Sequence, residues 1–360
     1  MSTAPTILWG PDSFAGLATP DIVWLWHGYL ARGAITLLTS QWKSGKTTLV
    51  SVILSKLQTG GDLAGLALAP ASALVLSEES PDHWARRNAR LRFGPNIGWI
   101  CRPFTGRPSI DAWNNLIDHI ASIARERHLR LLVIDPLASF MAGGSENDPA
   151  AVLATLHPLQ RLTSQGLAVL ILHHPRKGDV KVGQAARGSG TLSGTADILI
   201  EMRYDGRPVR SGRRRRLQAF SRFEESPTDL VIELAAEADH YISHGSFQQH
   251  DFSRHWPYLE SLLETARTKL TRKDIFEMWY KLPRPSLTTI NAWLEAAVDN
   301  GLVKKDGKGQ RDNPFRYWTP AREEFWRHDA LSLLHNPDLL AEVRADASFA
   351  SNADPGRAAS

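Results

Sequence analysis

Between Ala34 and about Tyr241, short apolar runs alternate with stretches of helical periodicity. The runs AITLLTS, SALVLSEE, LRLLVIDP, LAVLILHH and ADILIEMR end at Ser40, Glu79, Pro136, His174 and Arg203. They are rich in Val, Ile and Leu and too continuous for strands with one wet face. Such runs predict parallel strands covered by helices on both sides. Asp111 to Arg127 and Pro149 to Gln165 are long enough for crossover helices. RLQAFSRF and TDLVIELAAEADHYI follow with no helix between them, which predicts antiparallel strands finishing the sheet. The expected fold class is therefore α/β, with a mostly parallel, doubly wound sheet.

Residues 1–33 are expected to pack on a core domain spanning 34–245. ISHGSFQQHDFSRH is polar and poor in apolar residues, which predicts a linker over 246–255. From 256 to 322 the pattern becomes three helical segments and a short basic hairpin. A helical extension over 323–345 follows, and the small, polar segment 346–360 reads as a disordered tail.

The first run leads into LLTSQWKSGKTT, Leu37 to Thr48, close to the phosphate-loop pattern G-x-x-x-x-G-K-[ST]. Ser40 stands where that pattern has its first glycine. The flanks meet the structural requirement, because AITLLTS reads as a buried strand and KTTLVSVILSKLQ as a helix with Leu49, Ile53, Leu54 and Leu57 on one face. Ser40, Gln41, Trp42, Lys43, Ser44, Gly45, Lys46, Thr47 and Thr48 thus form a candidate cradle for ATP. Successive amides at the positive end of a helix hold a β-phosphate. Lys46 is placed to neutralise β/γ oxygens, and Thr47 to put its hydroxyl on Mg2+. A small Ser40 is expected to substitute in the turn leaving the strand. Independently, LRLLVIDP delivers Asp135 at the carboxyl end of a strand, where it can hold Mg2+ through water.

Composition changes this picture little. The chain has 360 residues, 42% of them hydrophobic and 22% charged, as in ordinary globular proteins. A net charge of +4 favours a polyanionic partner only if the cations cluster. One cysteine, Cys101, excludes an intramolecular disulfide and a cysteine-rich metal site. No run approaches the ~18 apolar residues of a membrane span, and the first residues lack a signal-peptide pattern. A cytoplasmic protein without membrane contact is expected.

The order of motifs resembles the RecA/DnaB-type P-loop ATPase core, in particular the plasmid RepA-like hexameric helicase branch. That resemblance implies a catalytic carboxylate in VLSEESPDHWARR, where Glu79 matches and Glu78 is the rival. It implies a sensor strand in LAVLILHHPRKGD, with His173 or His174 facing the γ-phosphate; His174 is the candidate. KVGQAARGSGTLSGTADILI is similar to DNA-facing loops of that family through Arg187, Ser189, Gly190 and Asp197. In LQAFSRFEES, Arg222 matches a cation that bridges subunits, whereas the second cation position is Glu224. Arg187 is the second candidate for that role. The run Arg213 to Arg216 reads as a solvated hairpin between strands. A homo-oligomer, as a hexameric ring, and DNA as partner are implied with these.

In the smaller domain, Thr271 and Asp274 have capping-box spacing. Ile290, Trp293, Leu294, Ala297 and Val298 share one helix face, with Ser286, Thr288, Thr289 and Asn291 opposite. LVKKDGKGQRDNPFRYWTP reads as two strands around a Gly-rich turn. Helix, helix and basic hairpin resemble a winged-helix module, with Lys304, Lys305, Lys308, Arg311 and Arg316 on its wing. Such modules read duplex DNA through the helix and hairpin, or contact proteins. The function expected is Mg2+-dependent ATP hydrolysis coupled to single- or double-stranded DNA, as a helicase or a replication or recombination accessory. The alternative is an ATP-gated regulator that binds duplex DNA.

Overall fold

The computed structural model describes residues 21–145, 148–175, 190–206, 212–329 and 335–351. The chain divides into two compact units, Met1–Phe247 and Gln248–Ser360.

The first unit opens with β1 (Trp24–Trp26), β2 (Leu30–Ala31) and β3 (Ile35–Thr39). Next come β4 (Gly61–Leu63), β5 (Leu66–Leu68), β6 (Ala73–Ser77), β7 (Ile97–Cys101) and β8 (Leu131–Asp135). β9 (Ala168–His173), β10 (Ile198–Tyr204), β11 (Arg214–Ser221), β12 (Asp229–Leu234) and β13 (Tyr241–Ser243) complete it. Nine strands form the central sheet in the order β13-β12-β11-β10-β3-β9-β8-β6-β7. All pairings from β10 to β7 are parallel, and β11 to β13 add antiparallel strands at one edge. β3 therefore sits inside the parallel part, with β9 between it and β8. This is the α/β architecture of a RecA-like P-loop NTPase.

The uninterrupted apolar runs have a simple cause. Alternate residues of each strand enter different cores. Leu38, Val75, Val133 and Leu170 face the helix Lys46–Lys56 through Val50, Ile53 and Leu54. Leu37, Leu76, Ile134 and Ile171 face the helix Ile110–Glu126 through Trp113, Ile117 and Ile120. With helices on both faces, neither side of these strands can be polar. Residues 24–31 add Leu25, Trp26, Tyr29 and Leu30 to the first core, and the Thr36 hydroxyl donates to the Tyr29 carbonyl at 2.8 Å.

Three expectations differ from the structure. The polar segment 246–255 is helical, opening the helix Phe247–Thr265, whose later residues Tyr258, Leu259, Leu262 and Leu263 are buried. Polar composition and Pro257 concealed it, because one buried face needs apolar groups only every third or fourth position. Likewise, the helix Pro337–Ser351 runs into the segment read as a disordered tail. Arg214 to Arg216 lie within β11 instead of between strands, since Glu233 and Asp229 on neighbouring β12 accept Arg214 (2.7 Å) and Arg216 (3.2 Å).

The second unit builds its core from Leu259, Leu263, Ile275, Ile290, Trp293, Leu294, Ala297 and Tyr317. It contains the helices Arg272–Met278 and Leu287–Asp299 and an antiparallel sheet. That sheet has the order β14 (Leu270–Thr271), β16 (Arg316–Trp318), β15 (Lys304–Asp306). The Thr271 and Asp274 side chains close a capping box despite the shorter acid.

Asp197 pins the amino end of β3, because its carboxylate accepts the Ile35 amide at 2.9 Å and Arg222 at 3.1 Å. Asp197→Ala should lower unfolding stability by about 1–3 kcal/mol, the cost of an unsatisfied buried amide. Arg222→Ala, at an exposed pair, should cost less than about 1 kcal/mol in the same urea titration.

Candidate phosphate-binding site

Four strands converge on one end of the sheet. The register pairs Thr39 with His173 and Ser77 with Asp135, so the loops after β3, β6, β8 and β9 leave at one level. Ligands of open α/β sheets bind outside these carboxyl ends. Beyond β3, Ser40 continues the extended strand, its amide donating to the His173 carbonyl at 3.4 Å. Lys43 and Gly45 then take positive φ values of 61° and 101°. Ser40 itself is not among the positive-φ residues, so a Cβ there strains nothing. That explains the serine in the first glycine's place. Gly45 caps the helix Lys46–Lys56 without a side-chain hydrogen bond. The first amides of this helix have no intrahelical acceptor and carry its positive dipole end.

Lys46 is 4% exposed. Its ammonium donates to the Ser40 carbonyl (3.0 Å) and hydroxyl (2.9 Å) and lies 2.9 Å from His174 Nδ1. No carboxylate lies within ion-pair distance of it among the described residues. Burial pushes its pKa down to about 8, with the Asp135 charge acting the other way. Burial also holds His173 and His174 down at about 4. A neutral His174 can accept from the ammonium, while His173 is held at 3.1 Å on the Thr39 hydroxyl. Thus His174 reaches the loop and His173 lies under it.

The Thr47 hydroxyl donates to Asp135 at 2.9 Å. Burial pushes Asp135 up to about 6, the Thr47 hydrogen bond opposing it and the Glu79 charge reinforcing it. A hydroxyl and a carboxylate in contact are hard oxygen donors, the kind Mg2+ takes beside phosphates. Among the described residues no cluster of three His, Cys, Asp or Glu could hold a metal. At the tip of β6, Ser77 Oγ accepts the Glu79 amide (3.1 Å) and Trp84 Nε1 (3.0 Å). Both Glu79 oxygens are engaged by Arg87, whereas exposed Glu78 accepts the Ser139 hydroxyl. Both acids add to the charge around Asp135.

Among the remaining candidates, Gln41, Trp42 and Lys43 form the exposed tip of the loop. Trp42 is 71% exposed, with the Lys43 ammonium 4.2 Å from its ring centre. Ser44 is buried, its hydroxyl donating to the Gln41 carbonyl at 2.7 Å; Thr48 is half-buried in the first turn. Arg222 lies at the opposite end of the sheet, beside Asp197, away from the loop of its own chain. Arg187 lies outside the described residues.

Arg215 is the residue that sequence reasoning missed. Its guanidinium donates to the Ser44 carbonyl and sits 4.0 Å from the Tyr204 ring centre. A Cβ built on Gly45 would lie 3.8 Å from its Nη2. Tyr204, its register partner across β10 and β11, donates to the Lys43 carbonyl at 3.2 Å. This pair holds two loop carbonyls and aligns a cation with the helix N-terminus. Period two gave only the face: Arg214 and Arg216 share one face with Glu233 and Asp229, so Arg215 projects from the other.

A family model described as AAA domain matches residues 10–180. The match supports a P-loop AAA-type ATPase that binds nucleotide. No curated protein matches the chain.

Two measurements check this geometry. Free Lys46 loses its proton as pH rises through about 8, whereas a phosphate-bound ammonium keeps it. Nucleotide affinity should therefore be full below that pH and fall above it, by up to about tenfold per pH unit. Calorimetry should find weaker binding and no such slope for Lys46→Ala. Arg215→Ala should weaken nucleotide binding about tenfold, the scale of a charged hydrogen bond. Arg215→Lys should not restore it, because an ammonium lacks the planar fork.

Proposed function

We propose that this chain is a Mg2+-dependent ATP hydrolase whose turnover is coupled to DNA. It would act as a helicase or a replication or recombination accessory in the cytoplasm, assembled as a homo-oligomeric ring. The contact between Thr47 and Asp135 beneath a buried, carboxylate-free Lys46 is the observation that carries the ATPase part. In the reaction, the amides after Gly45 hold the β-phosphate, and Lys46 exchanges Ser40 and His174 for β/γ oxygens. Bound Mg2+ would supply positive charge that offsets the charge developing on the transferred phosphoryl group. Thr47 and Asp135 are the residues that would hold it. Glu79 orients the attacking water, with Glu78, the preceding residue of the same turn, as the rival group. His174 links the γ-phosphate position to the segment that follows β9. Arg222, remote from its own loop, serves a neighbour's site or none, and Arg187 is the other candidate for that role.

DNA coupling draws support from the second unit, whose helices and basic hairpin have a winged-helix order. Its hairpin charge is smaller than the sequence implies. Lys304 pairs with Glu323 and Lys305 with Glu295, which leaves Lys308, Arg311 and Arg316. Two observations favour the ATP-gated regulator instead: Arg222 bonds Asp197 of its own chain, and Glu224 stands at the second bridging position.

Lys46→Ala should abolish ATP turnover in a folded protein. Glu79→Gln should keep nucleotide binding and lose turnover by about 10²–10⁴-fold. If Glu78→Gln does so instead, Glu78 directs the water. Turnover stimulated by DNA, with unwinding of a forked duplex, would support the motor; ATP-modulated binding to one duplex sequence without unwinding would support the regulator.

A further inference from the structure

We propose that the second unit carries a pocket for an unpaired nucleotide, so that its nucleic-acid ligand is single-stranded. The proposal rests on the DNA-coupled reading and names the form of nucleic acid which that reading leaves open.

A cavity of about 550 Å3 opens between the start of the helix Arg272–Met278, the helix Leu287–Asp299 and the hairpin turn. Arg272, Lys273, Asn291, Arg311, Phe315 and Tyr317 are among its lining residues. Its size falls within the ~300–1,000 Å3 of ordinary small-ligand sites and admits one base with its sugar.

Three lysines of this unit are cancelled by acids, whereas the cations lining the cavity are not. Lys269, Lys304 and Lys305 are each held by a carboxylate at 2.7–2.8 Å, from Asp306, Glu323 and Glu295. Among the described residues the one hydrogen-bond partner of Arg272 is the Asn291 side-chain oxygen, at 3.2 Å. Arg311 has no ion-pair partner among the described residues, and Lys273 is 3.7 Å from Glu277 in an exposed pair of little strength. Two arginines and a lysine therefore remain for phosphates around one concavity.

The aromatic component is held in place by the turn itself. Gly307 and Gly309 have φ values of 99° and 70°. A Cβ on Gly307 would lie 2.4 Å from the Pro314 carbonyl oxygen, and one on Gly309 2.6 Å from the Phe315 ring. Only glycine lets the hairpin close this tightly against Phe315. The ring is 36% exposed, with the Lys305 ammonium 4.1 Å from its centre. A fixed, partly exposed ring in one cavity with Arg272 and Arg311 suits base stacking with backbone neutralisation, the two devices of single-strand binding. Asn291 Nδ2 remains available to donate to a base edge while its oxygen accepts Arg272. A duplex major groove, by contrast, takes a protruding helix or ribbon and needs no such concavity. The same helix also presents the acids Glu295 and Asp299 further along.

The test is fluorescence anisotropy on the full chain, with a labelled single strand of about twenty nucleotides and a duplex of the same length. Phe315→Ala should weaken single-strand binding on the order of tenfold, and Phe315→Trp should retain it. Arg272→Ala should lower the salt slope of single-strand binding by about one. Duplex affinity and ATP turnover without nucleic acid should stay unchanged in all three. Single-strand binding equal to wild type in Phe315→Ala and Arg272→Ala overturns the pocket while leaving DNA coupling intact. Equal losses on duplex and single strand overturn the single-strand assignment. A wild-type chain that turns over ATP yet binds neither nucleic acid overturns the pocket and the DNA-coupled reading together.

Discussion

A desolvated ammonium without a carboxylate partner is the constraint on which the site depends. Burying a charge is costly unless something compensates for it, and among the described residues the hydrogen-bond partners of Lys46 are a hydroxyl, a carbonyl and a neutral imidazole. Burial accordingly draws its pKa down to about 8. A polyphosphate in the adjoining loop would supply the missing negative charge, turning a buried, uncompensated side chain into an anchor. An acid in direct contact with Lys46 would satisfy it permanently and compete with every nucleotide. Asp135, the buried acid whose charge acts on Lys46, is instead occupied by Thr47.

The sheet makes that arrangement possible. Parallel pairing brings β3, β9, β8 and β6 to a common level, and the turns after them carry the loop, the histidines, Asp135 and the two glutamates. Slipping any one of these strands by a residue would turn its side chains to the other face and break the constellation. Both cores oppose such a slip, because each strand is apolar on its two faces and tied into both clusters. At the amino ends the Asp197 carboxylate seals β3, so the same strand is anchored below and functional above.

In the second unit the decisive feature is cancellation of charge. Five hairpin cations looked available for a duplex, yet Lys304 and Lys305 are absorbed by Glu323 and Glu295. Arg213 to Arg216 in the first unit behave alike, with Glu233 and Asp229 holding three of the four. What survives in each place has a direction. Arg215 approaches Gly45, and Arg272 lines the cavity beside Phe315.

The alternation of buried strands and helices, the phosphate loop with its lysine and threonine, and the aspartate at a strand end were all legible along the chain. Each of these is a local or periodic property: apolar continuity marks a strand covered on both faces, and a glycine beside lysine at a helix start marks an anion cradle. Ser40 departs from the pattern without harm because its backbone is extended, a fact that φ angles reveal and residue types do not. Tertiary structure alone decided that Arg215 reaches the loop, that the polar segment from Phe247 is helical, and that Arg222 lies at the far end from the nucleotide loop of its own chain. It alone also decided which cations keep their charge unpaired. Those outcomes turn on which acid or carbonyl a long side chain meets across strands tens of residues apart, and neither composition nor period encodes that meeting.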